Sequence, residues 1–214
     1  MPASESTAAR TGRPPLSERR RQQTRLEVAN EAVRLFGTQG VAATSAEEIA
    51  QAVGMSVRTL WRYFASKEEC VRPLLTVGME AMAARLRAWQ PGAPLIPAEP
   101  SDDWFDTDAG KLAGMREIVR LTRDEPALRA VWLQAHHDAE ALFTRALAER
   151  GGHDPAAMEP RVQAAVINAA LRVAVEDWAW QAPRAEESTE RVVAGMQQVM
   201  RRALRIAAAG LPDS

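Results

Sequence analysis

A single cysteine, Cys70, in 214 residues excludes an internal disulfide framework and fits a reducing compartment, which predicts a cytoplasmic protein. No run of about 18 apolar residues occurs, so no membrane-spanning helix is expected. The opening MPASESTAARTGRPP has no apolar centre and does not read as a secretory signal. The strings that mark common catalytic sites are missing as well: there is no GxSxG, no Walker phosphate loop and no HExxH. No enzyme and no cofactor are therefore expected. His136, His137 and Glu140 come nearest to a metal cluster, but His136 and Glu140 on one helix face are two ligands, and Cys70 is far along the chain, so no metal is expected either. No alternating strand pattern and no internal repeat appear. Aromatic residues are few at 5%, yet six of them are tryptophans, which suggests placement rather than bulk filling.

What is present starts with charge. The net charge of -1 argues against a nucleic-acid partner only if charge is evenly spread, and it is not. Between Arg10 and Lys67 stand ten positive residues and five negative ones, so that section is near +5 and the remainder near -6. A basic N-terminal module on an acidic remainder is the electrostatic pattern of a DNA-binding head on a body that avoids DNA. Residues 1–16 are read as a flexible basic arm, with Arg10 and Arg13 as candidates for insertion into a minor groove.

The stretch Thr44 to Glu69, TSAEEIAQAVGMSVRTLWRYFASKEE, organises the rest. Thr44 with Glu47 reads as a capping box that starts a helix at Ser45, and Ala46, Ile49, Ala50 and Val53 give it one apolar face. Gly54 sits where a helix stops in a left-handed residue. Ser56 caps a second helix, VRTLWRYF, whose Val57, Leu60 and Phe64 turn inward. Arg58, Thr59, Trp61, Arg62 and Tyr63 are left on or beside its outer face. Two turns of helix gain no stability from exposing two arginines and two large aromatics. Guanidinium forks suit guanine edges and phosphates, hydroxyls suit phosphate oxygens, and an indole suits thymine methyls. The pattern is that of a helix-turn-helix, whose second helix enters the major groove. The DNA-facing set is predicted as Thr44, Ser45, Ser56, Val57, Arg58, Thr59, Trp61, Arg62, Tyr63 and Lys67.

These residues carry a resemblance. VANEAVRLFGTQGVAATSAEEIAQAVGMSVRTLWRYFASKEE is similar to the N-terminal domain of the TetR family of bacterial transcriptional regulators. The likeness lies in the Ala-rich first helix ending in Leu35, Phe36 and Gly40, the Thr44, Ile49, Ala50 and Gly54 frame, and Thr59, Leu60, Tyr63, Phe64 and Lys67. It spans roughly residues 20 to 70. Trp61 departs from it, standing where the family usually has tyrosine, so that a contact there is apolar or made through the indole N–H. The body resembles, on the pattern around Asp124 to Trp132 and around Trp178, the C-terminal domains of actinobacterial members, including those associated with mycofactocin that answer acyl-CoA ligands. The resemblance implies a homodimer paired through the last two helices, with a signal-carrying helix between head and body.

The rest of the chain predicts helices throughout. A first helix is expected over about Ser17 to Gly37, with Leu26, Ala29, Ala32, Val33 and Phe36 buried. Ser66 and Glu69 open a fourth helix carried to about Ala88, with Pro73 bending it unless the helix begins there. Prolines 91, 94, 97 and 100 make residues 90–107 a lid or a disordered connector, with Trp104 and Phe105 at its end. Further helices are expected over 108–122, from a cap at Asp124 to about Arg150, over 160–181 and over 188–209.

The expected architecture is all-α, with a three-helix helix-turn-helix domain over 17–65 and a helical ligand-binding and dimerisation domain over 66–214. The smooth face of Val162, Val166, Ala170 and Val173, with Val192, Met196, Val199 and Met200 of the last helix, is predicted to pair two copies. A ligand pocket is predicted from Trp104, Met115, Ile118, Trp132, His136, Phe143, Asn168, Arg172 and Glu176. Arg172 and Glu176 read as an intrahelical ion pair before they read as ligand contacts. The expected function is a repressor released from a palindromic DNA operator by a small apolar or amphipathic effector. Two other readings stand beside it, a ligand-independent architectural DNA-binding protein and a helical small-molecule-binding protein or enzyme.

Overall fold

The computed structural model describes residues 16–90, 93, 95, 109–181 and 189–210, and among them the regular structure is helical throughout. Residues 1–15 of the expected arm, Trp104 and Phe105, and most of the 90–107 connector lie outside the described residues, and Leu16 opens the first helix instead. Eight α-helices are present among the described residues: α1 (Leu16–Gln39), α2 (Ala46–Ala52), α3 (Val57–Tyr63), α4 (Arg72–Ala88), α5 (Ala109–Leu121), α6 (Pro126–Gly151), α7 (Met158–Trp180) and α8 (Thr189–Ala209). A 3-10 turn over Glu68–Val71 leads into α4.

Helix α1 is the mast of the N-terminal part. Its Val28, Ala29, Ala32, Val33 and Phe36 recur at helical spacing and are buried. They pack with Ile49 and Ala50 of α2, Leu60 of α3, and Cys70, Val71 and Leu74 beyond it. Leu60 is fully buried, a burial that contributes about 1.5–3 kcal/mol. Gly40 ends α1 at φ +86, its N–H donating to Phe36 O at 3.0 Å.

The start of α2 lies one residue later than the sequence predicts. Thr44 is buried, and its hydroxyl donates back to Gly40 O at 2.8 Å, so it cannot cap. The box is made instead by Ser45 and Glu48. Ser45 Oγ accepts from Glu48 N at 3.2 Å, and Ser45 N donates to Glu48 Oε2 at 2.7 Å. The Ser45 N–H, the Ser45 hydroxyl and the Gln39 amide all donate to the Glu48 carboxylate and hold it below its ordinary range.

The expected glycine turn is present. Gly54 has φ +67, Gly54 N donates to Gln51 O at 3.1 Å, and Met55 N donates to Ala50 O at 2.9 Å. This paired closure satisfies the last carbonyls of α2 and turns the chain within three residues. Ser56 then caps α3, accepting from Thr59 N at 3.1 Å.

Behind the head, α4 packs on α6, α6 on α7, and α7 on α8. Helix α4 begins at Arg72 with Pro73 in its first turn, so the proline costs no hydrogen bond. Ser66 Oγ accepts from Glu69 N at 3.2 Å, which caps the 3-10 turn rather than α4 itself. The cap of α6 is also displaced. Glu125, not Asp124, precedes the helix, and it makes no side-chain cap bond. Gly152 closes α6 at φ +67. Helix α5 bridges both halves, touching α1 at one end and α7 along its length. Trp180 Nε1 donates to Val119 O at 3.0 Å and pins the end of α7 to α5. No described helix is long and apolar enough to cross a membrane.

Candidate nucleic-acid interface and interior cavity

Helix α3 carries a short apolar side and a broad polar one. Leu60 and the following Phe64 go into the core, and Val57 is half-buried. Arg58 and Arg62 are exposed, and Trp61 is 45% exposed. Neither arginine has an ion-pair partner among the described residues. Two guanidinium groups and an indole therefore stand together on a helix whose own fold does not use them. Tyr63 is half-buried, with the Arg21 guanidinium of α1 5.8 Å from its ring centre. Arg25, one turn further along α1, lies 5.2 Å over the Phe64 ring. The basic start of α1 is thereby held beside the end of α3.

Other members of the predicted DNA-facing set are occupied elsewhere. Thr44 is 1% exposed and bonded to Gly40, so it faces the interior. Ser45 and Ser56 serve as helix caps, and the Thr59 hydroxyl lies 2.9 Å from Ser56 Oγ. Lys67 does not point outward. Its Nζ donates to Val41 O at 2.6 Å and to Thr44 O at 2.7 Å, stapling the α1–α2 connection to the segment after α3. The sequence marks a cation at Lys67 but not the two carbonyls that receive it.

In the body, a cavity of about 50 Å³ lies between α4, α5, α6, α7 and α8. Of the predicted pocket residues, Met115, Trp132, His136, Phe143 and Asn168 line it. Ile118 is buried but lies outside the lining, and Arg172 and Glu176 stand behind it. Leu75, Gly78, Met79 and Met82 of α4, Leu171 and Val175 of α7, and Met196 and Met200 of α8 complete the wall. The sequence marks α4 as the helix between head and body but does not show which of its residues enclose a space.

Two polar groups brace the wall. Trp132 Nε1 donates to Glu176 Oε1 at 2.8 Å. Glu176, 6% exposed, also receives Arg172 Nη1 at 3.1 Å on both oxygens. Arg129 Nη1 approaches it at 3.5 Å, close enough to attract but without hydrogen-bond geometry. The second group is His136, whose Nδ1 lies 2.7 Å from Asn168 Oδ1. Asn168 Nδ2 donates to His136 O at 2.9 Å.

Burial lowers the His136 pKa from 6.5 to about 4, against the upward pull of Asn168 and with a smaller downward push from Arg172. Between pH 6.5 and 4 the unfolded chain thus takes up a proton that the folded chain refuses. The stabilisation from keeping this ring neutral is complete above pH 6.5 and is lost as pH falls toward 4. The loss is expected to reach roughly 3 kcal/mol. Urea unfolding of the wild type and of His136→Phe at pH 7 and pH 4.5 measures it, the variant lacking that part of the slope.

The predicted dimer face divides. Val162, Val166 and Val173 of α7 are 53%, 44% and 54% exposed, and Ala170 among them is half-buried. Val192 and Val199 of α8 are half-buried. Met196 and Met200, 0% and 4% exposed, point into the cavity instead, because α8 packs that side against its own chain. Met158 and Ile206, 77% and 63% exposed, join the apolar surface that α7 and α8 leave uncovered.

A capped helix, a left-handed glycine turn and a second helix with an unpartnered basic face define a helix-turn-helix protein. Comparison with known proteins agrees. The profile described as "Bacterial regulatory proteins, tetR family" matches residues 29–74, and that of the "MftR C-terminal domain" matches residues 104–212. The HTH-type transcriptional regulator TcmR of Streptomyces glaucescens is 32% identical over 184 residues, covering 81% of this chain and 80% of that one. A crystal structure of a TetR-family transcriptional regulator from Mesorhizobium loti shares the fold with a TM-score of 0.50 at 18% identity, covering 87% of this chain and 98% of that one. The chain belongs to the TetR family. It is a DNA-binding transcriptional regulator, from a family of regulators rather than enzymes.

Proposed function

We propose that this regulator is a cytoplasmic homodimeric repressor that holds a two-fold symmetric operator and releases it when a small apolar or amphipathic molecule enters the interior cavity. The division of labour follows the helices, with residues 17–65 as the DNA-reading head and 66–214 as the effector-binding and pairing body. The observation that carries the reading is the outer face of α3, where Arg58, Trp61 and Arg62 are exposed without internal partners among the described residues. Arg58 and Arg62 are assigned to base edges and phosphates, Trp61 to thymine methyls, and Tyr63 to a phosphate. One reading helix covers few base pairs, so two heads roughly 34–36 Å apart are needed for a specific site. The uncovered valines of α7, with Ile206, supply the surface for pairing.

Helix α4 links the two sites. It follows the head within a few residues, and its Leu75, Met79 and Met82 wall the cavity. A ligand that widens the cavity displaces α4 and with it the head. The shift requires the ligand to bind the released state more tightly than the DNA-bound one. At about 50 Å³ the cavity is far below the few hundred Å³ of an ordinary ligand site, so a ligand has to widen it. Five methionines in the wall, with flexible side chains, allow it to open.

Selection of bound sequences from random duplexes tests the reading, with an inverted repeat expected. Recovery of no preferred sequence rejects it. Arg58→Ala is expected to cost about 1–3 kcal/mol at one position of each half-site and to relax the preference there. Tyr63→Phe is expected to weaken all operators alike. Fluorescence anisotropy against a panel of single-base operator variants separates the two, and a swap of those outcomes exchanges the assignments.

A further inference from the structure

One side chain of the cavity wall holds a polar atom that has no partner among the described residues. His136 lines the cavity and is 5% exposed, and its Nε2 has no hydrogen-bond partner among the described residues. The state of that atom follows from its neighbours. Asn168 Nδ2 lies 2.9 Å from the backbone carbonyl of His136 and 3.4 Å from Glu140 Oε1, both of which only accept. The amide nitrogen is therefore on that side, and Oδ1 is the atom that meets His136 Nδ1 at 2.7 Å. An amide oxygen only accepts, so Nδ1 carries the hydrogen. In a neutral ring Nε2 is then a bare lone pair. Trp132 fixes the ring from the side, with centroids 4.2 Å apart and planes at 79°.

We infer that the effector of this regulator is an otherwise apolar molecule with a hydroxyl group that donates a hydrogen bond to His136 Nε2. The inference rests on the interior cavity being the effector site. Everything else in the wall points the same way. Both polar atoms of Asn168 are already bonded within the chain, and the Trp132 N–H is turned away to Glu176. The remaining liners are aliphatic, thioether or aromatic groups that offer a ligand no strong acceptor or donor. A carboxylate has no hydrogen to give, and its charge meets a lone pair in an apolar enclosure. A plain hydrocarbon fills the space but leaves a buried acceptor unpaired, which is the costlier half of a broken hydrogen bond. A hydroxyl satisfies both surface and atom.

Phenol and toluene test this, because they are matched in size and the cost of widening the cavity is nearly the same for both, and benzoate, two heavy atoms larger, adds the anionic case. The readouts are the methyl resonances of Met79, Met82, Met115, Met196 and Met200 and the imidazole nitrogen resonances of His136 in the full-length wild-type protein. In a purely apolar cavity toluene binds better than phenol, since phenol gives up its hydrogen bond to water. Here the order is expected to reverse by about tenfold, the size of one neutral hydrogen bond in a dry site. Phenol is expected to move the Nε2 resonance, and toluene to leave it in place. His136→Leu is expected to restore toluene over phenol. Toluene or benzoate binding as well as phenol, or an unmoved Nε2 resonance with phenol bound, overturns the hydroxyl inference and leaves the cavity as effector site. Methionine resonances unmoved by all three probes overturn the cavity reading and the inference with it.

Discussion

Replacing Glu176 by leucine is expected to lower the stability of the fold by about 3–5 kcal/mol, the range for stripping one partner from a buried ion pair. The carboxylate is 6% exposed and receives the Trp132 indole N–H and the Arg172 guanidinium, with Arg129 at ion-pair distance. Removing it leaves two partly buried cations beside each other and a buried indole N–H unpaired. Leucine fills much of the space, so the loss comes from stranded charge rather than from a void. Glu176→Gln retains an acceptor for Trp132 and is expected to cost less. Chemical unfolding of both variants checks the order, and adding Arg172→Leu to Glu176→Leu is expected to recover part of the loss. If the double variant is no more stable than Glu176→Leu alone, stranded charge is not the cause.

Lys67→Met is expected to destabilise the head by about 3–4 kcal/mol while keeping the aliphatic stem. Its ammonium donates to Val41 O and Thr44 O, and each charge-assisted bond contributes roughly 1.5–3 kcal/mol. Those carbonyls belong to the connection that sets α2 against α1, so its loosening disturbs the platform on which α3 stands. Arg62→Met removes the same charge from an exposed site and serves as the control. It is expected to reduce DNA affinity and its salt dependence with stability unchanged. Hydrogen exchange at the amides of α2 and α3 distinguishes them, with protection falling in the lysine variant alone. If Lys67→Met weakens DNA binding at full stability, the lysine is a phosphate contact after all.

The turn of the helix-turn-helix was legible because its chemistry is local. Gly54 must adopt positive φ, and Ser56 has only its own helix to cap. The register of α2 was not, because Thr44 with Glu47 and Ser45 with Glu48 fit one capping pattern equally. Burial of Thr44 against Gly40 decides between them, and that is a tertiary fact. The same limit applies to α8. Its apolar stripe announced a buried face, but Met196 and Met200 face the chain's own cavity, whereas the exposed valines lie on α7. Periodicity identifies which side of a helix avoids water and is silent on which neighbour covers it. Asn168 and Arg172 were visible as polar residues on one largely apolar helix, which need partners, and His136 only as a pocket candidate. That His136 and Asn168 partner each other, and leave one nitrogen over, depends on how α6 meets α7.

Cys70 has a practical consequence. Its side chain is shut inside the junction of head and body, burial pushes the thiol up to about 12, and its hydrogen points at Ser66 O. A sulfur held protonated out of reach of peroxide is a poor oxidation sensor, so Cys70 is not suited to that role. It is equally shielded from maleimides. Cysteines introduced elsewhere on the surface are therefore the ones that take up a spin label, and the spacing of such labels can be followed in the otherwise native sequence as effector is added.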